Sequence, residues 1–422
     1  MPDALTHVLA ALLAVLLTGR LLGLLLRCLG QPPVIGEVLG GILLGPSLLG
    51  QVWPEAAVFI LPPALAPYLG VIAQLGVILY MFLVGLELNL RALCERAAML
   101  VVISHASIVI PLLLGVGLAL FLYPRLSSRE VPFTSFALFL GVSLAITAFP
   151  VLARILTDRQ MQKTPLGVLA LGCAAAGDVT TWCLLAFVVG IAQAKVGGAF
   201  LVLMLTAVFL GFMFLIVRPL VLRFLVRFDH ARLTPGMVAL VFAALLLSAL
   251  TTELIGIHAL FGAFLLGAII PHDSALAQAF TRKLEDLVTV LLLPAFFAFT
   301  GLRTQIGLVA SLEQWLFCGL IILVATAGKL GGTVAAARLT GLGWRESTGL
   351  GVLMNTRGLM ELIVLNIGLD LGILSPVLFA MLVLMALATT LATTPLLQLL
   401  APTCTPRDQA ERVRQEESTA VC

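Results

Sequence analysis

Thirteen apolar runs, separated only by short stretches carrying Pro, Gly or charge, fill residues 5–400 of this 422-residue chain. Most are near the roughly 20 residues that a helix needs to cross a bilayer. Runs of that length leave few folds open. Lipid cannot satisfy an open backbone, so a spanning chain must be helical or a closed barrel. A barrel would show short alternating strands, and none is legible here. Composition agrees: 11% of residues are charged, 61% are apolar and mean hydropathy is +1.16, where soluble domains carry about 25% charged residues. These values exclude a soluble enzyme, a nucleic-acid binder and a disordered chain. The expected fold is an all-α polytopic membrane protein, with segments at 5–28, 34–50, 67–88, 98–122, 134–156, 166–193, 198–226, 236–253, 257–271, 284–302, 314–337, 347–369 and 376–400. Residues 1–402 make one transmembrane domain and 403–422 a short charged tail.

The net charge of +3, from 24 basic and 21 acidic residues, implies no polyanionic partner. The seven cysteines include no CxxC pair and no Cys/His cluster with zinc spacing, so they read as small apolar side chains. No enzyme, cofactor or resident metal is expected. Residues 1–7 carry Asp3 and no Lys or Arg, which does not fit a cleavable signal.

Loop cations give the orientation. With the N-terminus outside, the inner side holds Arg27, Arg91, Arg96, Arg159, Lys163, Arg227, Arg232, Arg282, Lys283, Arg338, Arg345, Arg407, Arg412 and Arg414. The outer side holds only Arg125, Arg129, Lys195 and Arg303, a bias of fourteen to four that places the tail in the cytoplasm.

Two segments are interrupted. The fifth contains Ala145-Ile-Thr-Ala-Phe-Pro150, and the twelfth contains Met354-Asn-Thr-Arg-Gly358, with Asn355 and Gly358 inside the break. They stand seven segments apart, and an odd offset means opposite orientation. The chain therefore parses as six segments, a linker at 198–226, and six inverted. Paired broken helices in inverted repeats mark the mid-membrane binding site of a secondary transporter. Pro150 removes a backbone donor and frees the Ile146 carbonyl. With the Thr147 hydroxyl, that carbonyl offers hard oxygens suited to Na+ or K+, although the hydroxyl could equally bond its own backbone.

Ionisable residues inside spans are expensive and call for a role. Asp178 stands mid-segment between Leu169-Ala-Leu-Gly-Cys-Ala-Ala-Ala-Gly177 and Val179-Thr-Thr-Trp-Cys-Leu-Leu-Ala186. A carboxylate there needs a proton or a metal cation to neutralise it, or a bond to a neighbouring helix. Lys329 interrupts another apolar run, where it could pair with Asp178 in an empty site or snorkel to the span's end. Arg357, inside the second break, could complement a half-helix C-terminus or hold Glu361 one turn on.

Taken together these motifs resemble the monovalent cation:proton antiporter-2 family, which includes bacterial Na+/H+ and K+/H+ antiporters and plant cation/proton exchangers. Gln31-Pro-Pro-Val-Ile-Gly-Glu-Val-Leu-Gly-Gly-Ile-Leu-Leu-Gly-Pro-Ser-Leu-Leu-Gly50 looks like its second-helix signature and Phe82-Leu-Val-Gly-Leu-Glu-Leu88 like its third. Ser143-Leu-Ala-Ile-Thr-Ala-Phe-Pro-Val-Leu-Ala-Arg-Ile-Leu156 is similar to the first crossing helix, and Asn355-Thr-Arg-Gly-Leu-Met-Glu-Leu-Ile-Val-Leu-Asn-Ile-Gly368 to the plant-exchanger branch. The resemblance implies a core (98–193 and 314–400) that moves, elevator-like, against a panel (5–88 and 236–302), with the panel forming a homodimer. It puts the family's cation-binding aspartate on Asp178 and its core lysine on Lys329. One departure is Gly177, where many members carry Asp, Asn or Gln.

The expected activity is exchange of a monovalent cation, K+ or Na+, for H+ in a bacterial inner membrane. Asp178 holds one or the other, Thr147 completes the cation shell, and Lys329, Arg357 and Glu361 set the local charge. An organic-anion symporter of the same fold, a gated cation channel and an ion sensor are the alternatives. Against the channel stands the lack of any filter-like repeat.

Overall fold

Every described element is helical, as a backbone in lipid requires. The computed structural model describes residues 4–400 except 29, 32, 88–96, 129, 160, 162–163, 194–198 and 229–233. Arg91, Arg96, Arg129, Lys163, Lys195, Arg232 and the tail 403–422 therefore lie outside the described residues, as does their part of the orientation argument.

In chain order, α1 (Ala4–Cys28) and α2 (Pro33–Leu44) lead through two short helices (Leu49–Val52 and Pro54–Ile60) and a 3-10 turn (Pro63–Leu65) to α3 (Ala66–Glu87). Then come α4 (Ala97–Leu126), α5 (Phe133–Ala145), α6 (Phe149–Asp158) and α7 (Pro165–Gln193). A π-turn joins α8 (Ala199–Phe212) to α9 (Arg218–Phe228), and α10 (Pro235–Ile255), α11 (Ala259–Ile269) and α12 (Ala275–Asp286) follow. A second π-turn leads into α13 (Leu293–Arg303), after which α14 (Leu312–Leu339), α15 (Trp344–Met354), α16 (Leu359–Asp370) and α17 (Pro376–Leu400) complete the chain. Starts follow capping chemistry. Ser311 accepts from Gln314 N while the Gln314 side chain reaches back to Ser311, a capping box that opens α14.

Each of the thirteen predicted runs is occupied by helix. Ten stretches among the described residues are long and apolar enough to span alone, and the α15–α16 pair, bent by 45°, brings the number to eleven. The runs at 134–156 and 257–271 fall short as single helices. The first is split after the 13 residues of α5, and the second yields only the 11 residues of α11. The segment predicted at 284–302 begins earlier, at Ala275, so Arg282 and Lys283 lie in a helix and not in a loop. The reason is local amphipathicity: Leu276, Phe280 and Leu284 are buried while both cations stay exposed, and Ser274 caps the start.

The helices pack in two groups. α2 lies on α1 and α13, and α3 on α11 and α13, with α10 against α11. In the other group α4 touches α5, α7 and α14, while α17 touches α14, α15 and α16. Between the groups, Arg303 of α13 pairs with Asp370 of α16 at 2.5 Å, and Asn366 donates to Thr300 Oγ at 2.9 Å. Without a hydrophobic drive between helices in lipid, close backbone approach at small residues replaces it. A Cβ on Gly301 would overlap the Gly41 carbonyl, and one on Gly41 would overlap that of Phe297. Backbone cannot yield as a side chain can. Gly301→Ala is therefore expected to destabilise the protein by about 1–3 kcal/mol, read as a lower unfolding temperature in detergent. Gly319→Ala on α14, where nothing lies within 4 Å of the added methyl, should leave it unchanged.

Candidate functional site

Helix α5 stops at Ala145, and Ile146 is already extended (φ −68°, ψ 141°). The chain resumes as α6 at Phe149, so Pro150 lies in the first turn of a new helix. This corrects the expectation of a Pro-broken span. A proline in a first turn removes a donor that has no intrahelical partner anyway, and the break lies before it. The second interruption runs from Asn355, which caps α15, to Gly358, which precedes α16.

The two breaks cross and bond to each other. Ala148 N donates to Thr356 O at 2.9 Å, and the Thr147 hydroxyl donates to Met354 O at 2.9 Å. Gly358 permits this approach, since a Cβ there would stand 2.7 Å from Val151 Cγ2. Thr147 thus serves the second break's backbone in this state, and its lone pairs remain for a ligand.

Breaking a helix in an apolar setting exposes carbonyls, and two cations cover them. Arg357 donates to Ser143 O and Leu144 O, each at 2.7 Å, and to Glu361 Oε at 2.9 Å. Its backbone N–H is taken by Thr390 Oγ at 3.0 Å. Lys329 donates to Ser107 O at 3.0 Å and also to Ala145 O. The last three carbonyls of α5, at its negative dipole end, are therefore held by buried positive charge. Arg357 and Glu361 are both fully buried, 0% exposed, and form an ion pair one turn apart. Arg357 thus meets both a half-helix end and Glu361. Lys329 neither snorkels nor pairs with Asp178: it is 1% exposed, and its ammonium is committed to backbone oxygens.

Asp178 lies on α7, 4% exposed, and its Oδ2 has no hydrogen-bond partner. Buried polar atoms are nearly always paired, so such an exception marks a place for an absent ligand or strain. A cavity of about 10 Å³ opens beside it, lined by Ile146, Thr181, Trp182, Leu185, Met360 and Val364. That volume is close to what one small bound species requires. The cavity joins the first break to α7 and α16, and its Trp182 meets Phe261 of α11 edge-on, with ring centroids 5.6 Å apart. Every residue lining the cavity thus belongs to the second helix group, and Trp182 brings its wall against the first.

Several participants escaped the sequence reading. Thr181 and Trp182, one turn beyond Asp178, were visible from helical spacing. Ser107 and Thr390 contribute only because α4 and α17 pack against the breaks, and nothing local in sequence signals that. Gly177 faces α4, where a Cβ would lie 3.3 Å from the unpartnered Ser104 hydroxyl.

Known proteins resemble this chain in sequence and in fold. Residues 12–399 match the model of the family described as sodium/hydrogen exchanger, transmembrane. The chain is 42% identical over 403 residues to the Na(+)/H(+) antiporter NhaS4 of Synechocystis, covering 95% of this chain and 98% of that one. It is 40% identical to cation/H(+) antiporter 20 of Arabidopsis thaliana and 34% identical to K(+)/H(+) antiporter 1 of Saccharomyces cerevisiae. It spans about half the length of those two, 47% and 46%. The solved sodium proton antiporter MjNhaP1 of Methanocaldococcus jannaschii superposes with a TM-score of 0.68 over 94% of this chain and 97% of its own, at 14% identity, a likeness of fold. With crossed half-helices at its centre and nearly its whole length matched, the chain belongs to the sodium/hydrogen exchanger family, a family of monovalent cation:proton antiporters.

Proposed function

We propose that the chain is a secondary antiporter that exchanges a monovalent cation, K+ or Na+, for H+ by alternating access, with Asp178 as the shared site. The carrying observation is the unpaired, buried Asp178 carboxylate beside a cavity of about 10 Å³ at the crossing. A carboxylate in apolar surroundings is stable only when neutralised, by a proton or by a metal cation. Because one oxygen pair serves both, each ion enters as the other leaves, which couples the fluxes. The carbonyl of Ile146 and the hydroxyl of Thr147 complete the cation shell. Arg357 and Lys329 hold the half-helix ends in place and keep the site electrostatically poised, and Glu361 neutralises Arg357.

The packing is consistent with a core of 98–193 and 314–400 sliding against a panel of 5–88 and 236–302, since the Asp178 cavity is lined by core residues and its Trp182 meets Phe261 of the panel. Such a movement would release Arg303 from Asp370. In this reading the N-terminus is outside, the tail is cytoplasmic, the membrane is a bacterial inner membrane and two copies pair through the panel. The relatives' names include both Na+/H+ and K+/H+ antiporters, so both ions stand as substrates. An organic anion fits poorly, because the cavity is too small and its one charged side chain is acidic.

The test uses proteoliposomes with a trapped pH dye and an imposed pH gradient, to which K+, Na+ and Li+ are added in turn. Antiport appears as dye dequenching with at least one cation, unaffected by clamping the membrane potential if exchange is one for one. Folded, inserted protein that answers none of them would overturn the proposal.

A further inference from the structure

A second cavity, of about 200 Å³, opens far from the ion site, at the end of the bundle where α6 and α17 finish and α7 and α15 begin. Its polar wall carries Arg159, just past α6, and Arg345, in the first turn of α15. Its apolar wall is Met161, Leu166, Leu397 and Leu400. Each arginine makes one bond to the last turns of α17, Arg159 to Thr394 O at 3.3 Å and Arg345 Nε to Leu400 O at 2.8 Å. Among the described residues most of their N–H donors stay uncommitted, and the forked guanidinium matches phosphate geometry. Glu346 also borders the cavity, but its carboxylate is engaged with Gly343 N at 3.3 Å, at the start of its own helix. Helices α7 and α15 both present their N-terminal ends here, which adds positive dipole to the two charges.

We infer that this cavity binds an anionic phospholipid, its phosphate held between Arg159 and Arg345 and its glycerol and upper acyl chain against Met161, Leu166, Leu397 and Leu400. A free phosphate would gain nothing from the apolar wall, whereas a lipid presents both chemistries at the depth where spans end. Basic pockets between helices on the cytoplasmic side bind such headgroups, and this is the end that also carries Arg27 and Arg338. The location gives the lipid a lever. Arg159 follows one crossing half-helix and Arg345 opens the other, so a bound headgroup ties together the inner halves of both broken segments. The inference is independent of the chemistry assigned to Asp178.

The full chain in neutral detergent is titrated with phosphatidylglycerol, phosphatidylcholine or inorganic phosphate, and the unfolding temperature and retained lipid by native mass spectrometry are followed. Phosphatidylglycerol alone should stabilise the wild type. Arg159→Gln/Arg345→Gln should weaken it about tenfold or more, at roughly 1 kcal/mol per basic residue removed and more where bonds are bidentate. Arg282→Gln, on the exposed face of α12, should change nothing. The lipid-free unfolding temperature of the double variant checks its fold, and Arg345→Gln alone, an exposed position, serves if the pair fails. Equal binding by wild type and variant overturns the inference. So does equal stabilisation by inorganic phosphate, which would make the site a free-anion site. A wild type blind to lipid, with binding appearing when Asp408, Glu411, Glu416 and Glu417 are neutralised, would assign the cavity to the chain's own tail and overturn it as well.

Discussion

Asp178→Asn is expected to abolish cation-driven proton movement in proteoliposomes while leaving the protein as stable as the wild type, or more so. The two halves of this expectation share one cause. Asn keeps the shape and volume of the side chain, so the packing around Trp182 and Leu185 survives. It removes the charge, and with it the only means by which this position could attract a cation or carry a proton. Oδ2 has no hydrogen bond to forfeit. A buried polar group without compensation costs about 1–3 kcal/mol in mutational measurements, more if charged, so removing the charge relieves cost, set against the two N–H donors that the amide brings. A structural carboxylate would behave in the opposite way, losing stability on amidation. Asp178→Glu retains the charge but carries its carboxylate one methylene further from the α7 backbone, so it should exchange slowly and not fall to background. Dequenching and unfolding temperature, measured on the same preparations, decide the matter. Exchange at the wild-type rate in Asp178→Asn would remove Asp178 from the mechanism, and a marked loss of stability would make it a structural group.

Much of this was legible without coordinates. Segment length fixed the fold class because lipid permits so few backbones, and the odd offset between the interrupted segments placed them in opposite orientation, from which their meeting followed. Asp178, Lys329, Arg357 and Glu361 stood out because charge in a span is costly enough to need a reason. What remained hidden was set by direction and contact. Pro150 suggested a kinked helix, yet the helix had already ended at Ala145, where Arg357 and Lys329 hold its last carbonyls. Sequence shows neither side chain's aim. Lys329 likewise had two plausible destinations on paper, the bilayer edge and Asp178, and took neither, because the carbonyls of Ser107 and Ala145 come from segments that only tertiary packing brings near. Arg282 and Lys283 were assigned to a loop by charge alone, although Leu276, Phe280 and Leu284 beside them carry the helical period. Glu37, a carboxylate inside α2, was read only as part of a motif, and its place in an apolar run was signal enough to single it out.

Arg357→Ala is expected to be the most damaging substitution for the fold. The guanidinium satisfies two carbonyls at the end of α5 and the carboxylate of Glu361, all out of reach of water. Truncation leaves those acceptors bare and Glu361 charged or forced to take a proton, in a setting where removing one partner of a buried pair costs about 3–5 kcal/mol. Glu361→Gln should cost less, because Arg357 keeps Ser143 O and Leu144 O and the amide oxygen can still accept. The double variant Arg357→Ala/Glu361→Gln separates the two parts of the loss. If the penalty of Arg357→Ala is chiefly the orphaned carboxylate, the double variant will be more stable than the single one, and the interaction energy will be large and favourable. If instead the penalty is the exposed α5 terminus, adding Glu361→Gln will restore little. The bonding pattern favours a mixture weighted to the carboxylate, since Lys329 still covers Ala145 O in either variant. Thermal unfolding of the four proteins in one detergent gives the cycle. Wild-type stability in Arg357→Ala would show that the half-helix end needs no fixed cation, and buried positive charge would then no longer explain how either break is held.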